Sequence, residues 1–199
     1  MTKKPIFNNK LNNSYFISPL LNKICTFFIK LFRLKVKQIW ETRSPAVVAV
    51  ILAIFNDQIY VLSEKRSKIM PDAPEKWVVP GGYIDWNETG WDALRREVFE
   101  ETSFFIDDYE KYLLTDNEKQ PFFVTTDMLE NRQNIVLNYC LIYKFKDVFP
   151  IEVESFRYEE VDIIKWIPIE TILDSEYNWA FKHDIRIMQA ISKFENYFK

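Results

Sequence analysis

Three glutamates crowd into five positions, Glu97, Glu100 and Glu101, directly after Arg96. Carboxylates grouped this way are hard oxygen donors, the kind a small divalent cation takes. If the segment is helical, Glu97 and Glu101 stand i, i+4 and lie within about 40° of each other around the axis, with Glu100 about 60° to one side. Like charges at that spacing repel, so the arrangement makes sense where a cation neutralises it. Mg²⁺, or Mn²⁺ in its place, suits such a face because Mg²⁺ keeps waters and recruits substrate phosphates. Arg96 borders the carboxylates and can pair with Glu100 or with Glu88, holding a ligand in one rotamer. A solvated acidic helix face would show the same spacing, and the surrounding residues separate the two readings.

Those surroundings hold all the glycine in the chain. Only three glycines occur in 199 residues, Gly81, Gly82 and Gly90, where average usage of about 7% would give roughly fourteen. Glycine is needed where backbone takes a positive φ or approaches another group closely, so Gly81-Gly82 can bring main chain up to a cation or a phosphate. The same counting excludes other chemistries. The three glycines have the wrong spacing for a dinucleotide fingerprint or a phosphate-binding P-loop. A single histidine, His183, rules out the usual multi-histidine zinc sites; beside Asp184 on an expected helix it reads as a surface or packing residue. Cys25 and Cys140 both lie in apolar stretches and read as buried free thiols of a reducing, cytoplasmic compartment.

The elements that position these residues follow from hydrophobic patterning. Ala46–Phe55 is a continuous apolar run of strand length, and Asn56-Asp57 then leads into a second strand over Gln58–Leu62, a hairpin signature. Lys76–Val79 predicts a short strand ending at Pro80. Thr89–Thr102 predicts the carboxylate helix, with Thr89 and Asp92 spaced as a capping box and Trp91, Leu94 and Val98 as its anchoring stripe. Phe122–Thr126, Asn134–Phe145 and Val161–Trp166 predict further strands, and Pro168–Leu173 a short helix. Trp179–Phe198 predicts a C-terminal helix whose inner stripe is Phe181, Ile185, Met188, Ile191, Phe194 and Phe198. Strands interleaved with helices give an α/β sandwich, with 48% hydrophobic residues to fill it.

Charge divides the chain unevenly. Residues 1–43 carry nine Lys or Arg against the single acid Glu41, which leaves 17 basic and 28 acidic residues for 44–199. The division places a basic arm at 1–43 and one domain at 44–199. Within the arm, residues 17–40 predict an amphipathic helix with Lys23, Lys30 and Lys37 on its polar face. Three readings of it stand: packing on the body or on a second copy, which would make a homodimer; membrane-surface contact; and nucleic-acid contact, the weakest because a basic run alone carries little. Charges break every window long enough to span a membrane.

The stretch from Gly82 to Phe104 resembles the box of the Nudix hydrolase family, the MutT-like proteins. Gly82, five residues, Glu88, seven residues, Arg96-Glu97-Val98-Phe99-Glu100-Glu101 and finally Phe104 match its pattern G-x5-E-x7-R-E-U-x-E-E-x-G-U over 23 residues, with every charged position present. The preceding Trp77-Val78-Val79-Pro80-Gly81-Gly82 is similar to the W-x-x-P-G-G that leads into it. One position departs: the second glycine of the pattern is Ser103, which costs roughly 1 kcal/mol if that residue is left-handed.

The resemblance implies an α/β/α sandwich with a mixed β-sheet, and Mg²⁺-dependent hydrolysis of the pyrophosphate bond in a nucleoside diphosphate linked to another moiety. Glu97, Glu101 and Glu100 would hold the metal, with a Gly81 or Gly82 carbonyl completing the set. Arg96 would orient them and Glu88 would tie the loop to the helix. The general base lies outside the box; Glu160, six residues before Trp166, is the leading choice, against the alternative of an exposed glutamate ahead of a strand. Arg66, with Lys65 and Lys68, would meet phosphates or else form a solvated basic turn. Pro121, 17 residues past Phe104, loosely resembles a downstream proline of ADP-ribose pyrophosphatases, which makes ADP-ribose-like conjugates the first substrate class. The alternative function is a non-catalytic nucleotide sensor acting through a partner.

Overall fold

The computed structural model describes residues 44–85, 87–116, 118–129, 132–146, 149 and 159–198. The arm at 1–43 with its expected helix, and Trp86, lie outside the described residues. The central strand β1 (Ser44–Phe55) is the apolar run. It turns through Asn56 and Asp57, whose φ values of 50° and 59° are those of a type I′ hairpin, into β2 (Gln58–Arg66). β2 runs four residues beyond the expected end at Leu62, because its polar second half pairs on both edges: with β3 (Trp77–Val78) and with β7 (Val161–Pro168). A strand absent from the sequence reading, β4 (Gly81–Tyr83), pairs antiparallel with the first half of β1. On its other edge β1 runs parallel to β6 (Arg132–Lys144), which pairs antiparallel with β5 (Phe123–Leu129). The sheet is therefore mixed.

Among the described residues two α-helices cover it. Helix α1 (Gly90–Thr102) lies on one face and α2 (His183–Lys193) on the other. The alternation along β1 records this directly. Val47, Ala49, Ile51 and Ala53 pack with Ala93, Leu94 and Val98 of α1; Val48, Val50, Leu52 and Ile54 pack with Ile187 and Ala190 of α2. A strand buried on both faces has no polar side to show, which is why β1 reads as an unbroken apolar run. The result is the expected α/β/α sandwich.

The C-terminal helix corrects the sequence reading. It starts at His183 rather than Trp179, because Phe181 and Lys182 both take left-handed φ, and it ends at Lys193. Its inner side is His183, Arg186, Ile187 and Ala190, while Ile185 and Met188 of the expected stripe are 49% and 43% exposed. Two polar residues sit inward because each has a partner. Val79 N–H donates to His183 Nδ1 at 3.0 Å, and Arg186 donates to Asn138 Oδ1. Residues 178–180 instead extend along β3, with Trp77 N–H donating to the Asn178 carbonyl and Ala180 N–H to the Trp77 carbonyl, each at 2.9 Å. Pro168 ends β7 rather than opening a helix; only a 3₁₀ turn, Ile169–Thr171, follows.

Candidate functional site

The start of α1 is set by the expected capping box. Asp92 N–H donates to Thr89 Oγ1, and the Thr89 N–H donates back to Asp92 Oδ2, each at 3.2 Å. This satisfies two donors that the first turn would otherwise leave open. The helix ends at Ser103, which is left-handed at φ 55°, ψ 8°, its N–H donating to the Phe99 carbonyl at 2.8 Å. The box glycine is thus replaced at a position whose backbone still asks for one.

Between these ends the carboxylates do not form one solvated face. Glu97 and Glu101 lie on the packed side of α1 with Ala93, Leu94 and Val98, and are only 3% and 6% exposed. Glu100 stands apart and half-exposed. Glu101 reaches back to the Gly81-Gly82 turn, where Oε2 accepts the Gly81 N–H at 2.9 Å. Glu97 lies against Gly82: a Cβ on that glycine would stand 2.3 Å from Glu97 Oε1. Neither glycine takes a positive φ, so both are required for close approach rather than for turning.

Arg96 organises the group. Its Nη2 and Nε donate to Glu88 at 2.6 and 3.1 Å, a two-pronged contact, and Nη2 also donates to the Tyr83 carbonyl at 3.1 Å. Its Nη1 lies 2.8 Å from Glu97 Oε1 and 3.7 Å from Glu100 Oε2. Glu88 in turn accepts the Asp85 N–H. Arg96 therefore ties the 83–88 loop to the helix and fixes Glu97 in the same stroke. Burial disfavours its charge, but the hydrogen bonds and negative charges of Glu88 and Glu97 outweigh that and hold it firmly protonated.

Sequence reasoning passed over one further buried carboxylate. Glu64, in β2, is 2% exposed. It shares the α1 face of the sheet with Leu62, and its strand partners are Val78 and Ile164. The Glu101 carboxyl is pushed well above the usual carboxylate range, first by burial and then by the charges of Glu64 and Glu97, with Glu160 adding to them. Glu160 is half-buried just ahead of β7, and its carbonyl accepts the Ser67 N–H at 2.9 Å. Arg66, at the end of β2, is directed elsewhere. Its Nε donates to the Asp72 carbonyl at 3.0 Å and its guanidinium lies over the Phe181 ring.

Among the described residues no group of three or more Asp, Glu, His or Cys side chains is placed to hold a metal ion. By chemistry alone, carboxylates are hard oxygen donors of the type a divalent cation takes. The raised Glu101 carboxyl is a group whose ionised form a nearby cation would favour. Mg²⁺ in particular is held by one or two carboxylates plus substrate phosphates rather than by an all-protein cage.

The family model of the NUDIX domain matches residues 44–187. The chain belongs to the Nudix family. No curated protein matches it in sequence. Among solved structures, the NUDIX domain of Shewanella oneidensis NrtR complexed with ADP ribose superposes with a TM-score of 0.59 at 19% identity, over 82% of this chain and 96% of that one. A Caenorhabditis elegans Ap4A hydrolase gives 0.56 at 20% identity, over 77% and 98%. A Francisella tularensis bifunctional NMN adenylyltransferase/ADP ribose pyrophosphatase, complexed with AMP and a Mn ion, gives 0.55 at 22% identity, over 93% of this chain and 51% of that one. Identities this low establish the shared Nudix fold. As a Nudix protein the chain is classed with the pyrophosphohydrolases of nucleotide anhydrides.

Proposed function

We propose that this Nudix chain hydrolyses the pyrophosphate bond of a nucleoside diphosphate linked to another moiety, with Mg²⁺ or Mn²⁺ as cofactor and ADP-ribose-like conjugates as the first substrate class. The observation that carries this reading is the burial of Glu97 and Glu101 against the Gly81-Gly82 turn, with Arg96 fixing Glu97. Glu97, Glu101, the more exposed Glu100 and the Gly82 carbonyl would hold the cation. A divalent cation held there supplies charge neutralisation for the pyrophosphate and acidifies water for attack at phosphorus.

The chain's own groups do the rest. Arg96 and Glu88 keep the carboxylates aimed, with the loop and helix moving as one body. Glu160, whose charge reaches Glu101, is the proposed proton acceptor. Arg66 is proposed to meet a substrate phosphate, for which its guanidinium would have to leave the Phe181 ring. The proposal takes 44–199 as the catalytic domain and 1–43 as an appended arm whose contact is a second copy or a membrane surface. Its location is the cytoplasm, the setting that suits the buried free thiol of Cys140. Among the described residues no helix is long and apolar enough to cross a membrane.

The test is a hydrolysis screen over nucleoside diphosphate conjugates with Mg²⁺ or Mn²⁺, followed by phosphorus NMR of the products. A nucleoside monophosphate is the expected product, and Glu101→Gln is expected to lower turnover by orders of magnitude. An unchanged rate in that variant refutes the metal assignment. Tight ADP-ribose binding with no product favours the sensor reading instead.

A further inference from the structure

We infer that His183 is a positioning residue for the candidate site, an inference that rests on the proposed role of Glu101 in the reaction. From the far face of the sheet, His183 fixes the Val79-Pro80-Gly81 turn and with it the Gly81 N–H that Glu101 receives. Three consecutive residues are fastened here to three different layers. Val79 N–H donates to His183 Nδ1 of α2 at 3.0 Å, the Pro80 carbonyl accepts the Ala49 N–H of β1 at 2.9 Å, and Gly81 N–H donates to Glu101 Oε2 of α1 at 2.9 Å. Val79 and Gly81 are two peptide units apart, at most about 7 Å, and the proline between them has a fixed φ. The turn therefore has little slack, and a shift at Val79 is passed on to Gly81.

The imidazole stands where the rest of this edge uses backbone. Trp77 N–H donates to the Asn178 carbonyl and Ala180 N–H to the Trp77 carbonyl; two residues on, Val79 N–H meets a ring nitrogen instead. Both partners are buried, Val79 at 1% and His183 at 6% exposure, where an N–H left unmet costs more than the bond gains. An apolar residue could pack at 183 but would leave that donor unmet. Accepting at Nδ1 also fixes the tautomer, with the ring proton on Nε2. The chain takes up strain to deliver the ring. Phe181 and Lys182, directly before it, are both left-handed at φ 54° and 59°, a costly conformation for residues with side chains that persists where the surroundings demand it. His183 N–H then donates to the Ala180 carbonyl at 3.0 Å, closing the turn that aims the ring.

The experiment compares full-length wild type with H183F and H183L, which remove the acceptor, and H183N, whose side-chain oxygen can stand near the place of Nδ1. Amide hydrogen exchange by NMR is followed at Gly81 relative to Val50 and Leu52 in the centre of β1, so that a general loss of stability cancels. In parallel, kcat and KM are measured for hydrolysis of nucleoside diphosphate conjugates with Mn²⁺. In H183F and H183L the relative exchange at Gly81 is expected to rise and kcat to fall, each roughly tenfold or more, the scale for groups that orient a site's ligands, with KM little changed. H183N is expected to bring both most of the way back, and either apolar variant suffices where the other does not fold. Exchange at Gly81 that only keeps step with Val50 and Leu52 overturns the inference, as does faster exchange at Gly81 with unchanged kcat. No hydrolysis by wild type refutes the proposed function, while exchange at Gly81 still decides whether His183 holds the turn.

Discussion

A methyl group on Gly82 would stand 2.3 Å from Oε1 and 2.4 Å from Cδ of Glu97, inside any tolerable contact. Glu97 is buried and held by Arg96, so it cannot swing aside without breaking that pair. Gly82→Ala is therefore expected to cost about 1–3 kcal/mol in stability and to weaken Mn²⁺ binding roughly tenfold, read by thermal melting and by metal titration. Gly90→Ala provides the contrast. Its Cβ would meet the Tyr139 hydroxyl at 2.7 Å and Leu137 Cδ1 at 2.8 Å, so it should disturb packing while leaving Mn²⁺ affinity as it is. Equal effects on metal binding in the two variants would refute a specific contact between Gly82 and Glu97. The sequence made the box residues legible because their spacing is that of one helix and one turn. Glu64 was not legible: in Ser63-Glu64-Lys65-Arg66 it looks like one more solvent-facing charge, and only the tertiary covering of the sheet face it shares with Leu62 buries it.

Elements were legible where local pattern and tertiary environment agree, as in the unbroken apolar run of β1 and the Thr89/Asp92 cap of α1. They were misread where a buried polar group has a specific partner. The stripe chosen for α2 put Ile185 and Met188 inside, because hydrophobicity alone cannot know that Val79 and Asn138 wait for His183 and Arg186. The end of α1 offers a prediction at this scale. Ser103 is left-handed at φ 55°, and a side chain there costs roughly 1–2 kcal/mol relative to glycine. Glycine also gains freedom in the unfolded chain, which offsets part of the benefit. Ser103→Gly is therefore expected to stabilise by up to about 1 kcal/mol, a Tm rise of roughly 2–4 °C for a chain of this size. A fall in Tm would show that contacts of the serine side chain outweigh the backbone term.

At the scale of the whole molecule, the C-terminal helix is coupled to the glycine turn through one buried imidazole. His183 opens α2 on one face of the sheet, and its Nδ1 accepts the N–H of Val79, two residues before Gly81. Burial, reinforced by the charges of Arg186 and Arg66, pushes its pKa well below the ordinary value of 6.5. The folded chain therefore keeps the ring neutral where the unfolded chain begins to take up a proton. Because the unfolded state binds more protons in that range, stability rises with pH through it. The contribution is fully present above about pH 6.5 and is lost as pH falls below it, at up to about 1.4 kcal/mol per pH unit for one proton. Protonation in the folded state would also turn Nδ1 from acceptor to donor and set it against the Val79 N–H, so the loss falls on the segment that leads into the site. Glu101, whose carboxyl is raised chiefly by burial, titrates in the opposite sense, so the histidine must be isolated by difference. His183→Gln, which cannot take up the proton, is expected to be less stable than wild type at pH 8 and to lose less stability between pH 6.5 and pH 5. Parallel Tm-versus-pH curves for the two proteins would show that His183 does not couple protonation to folding.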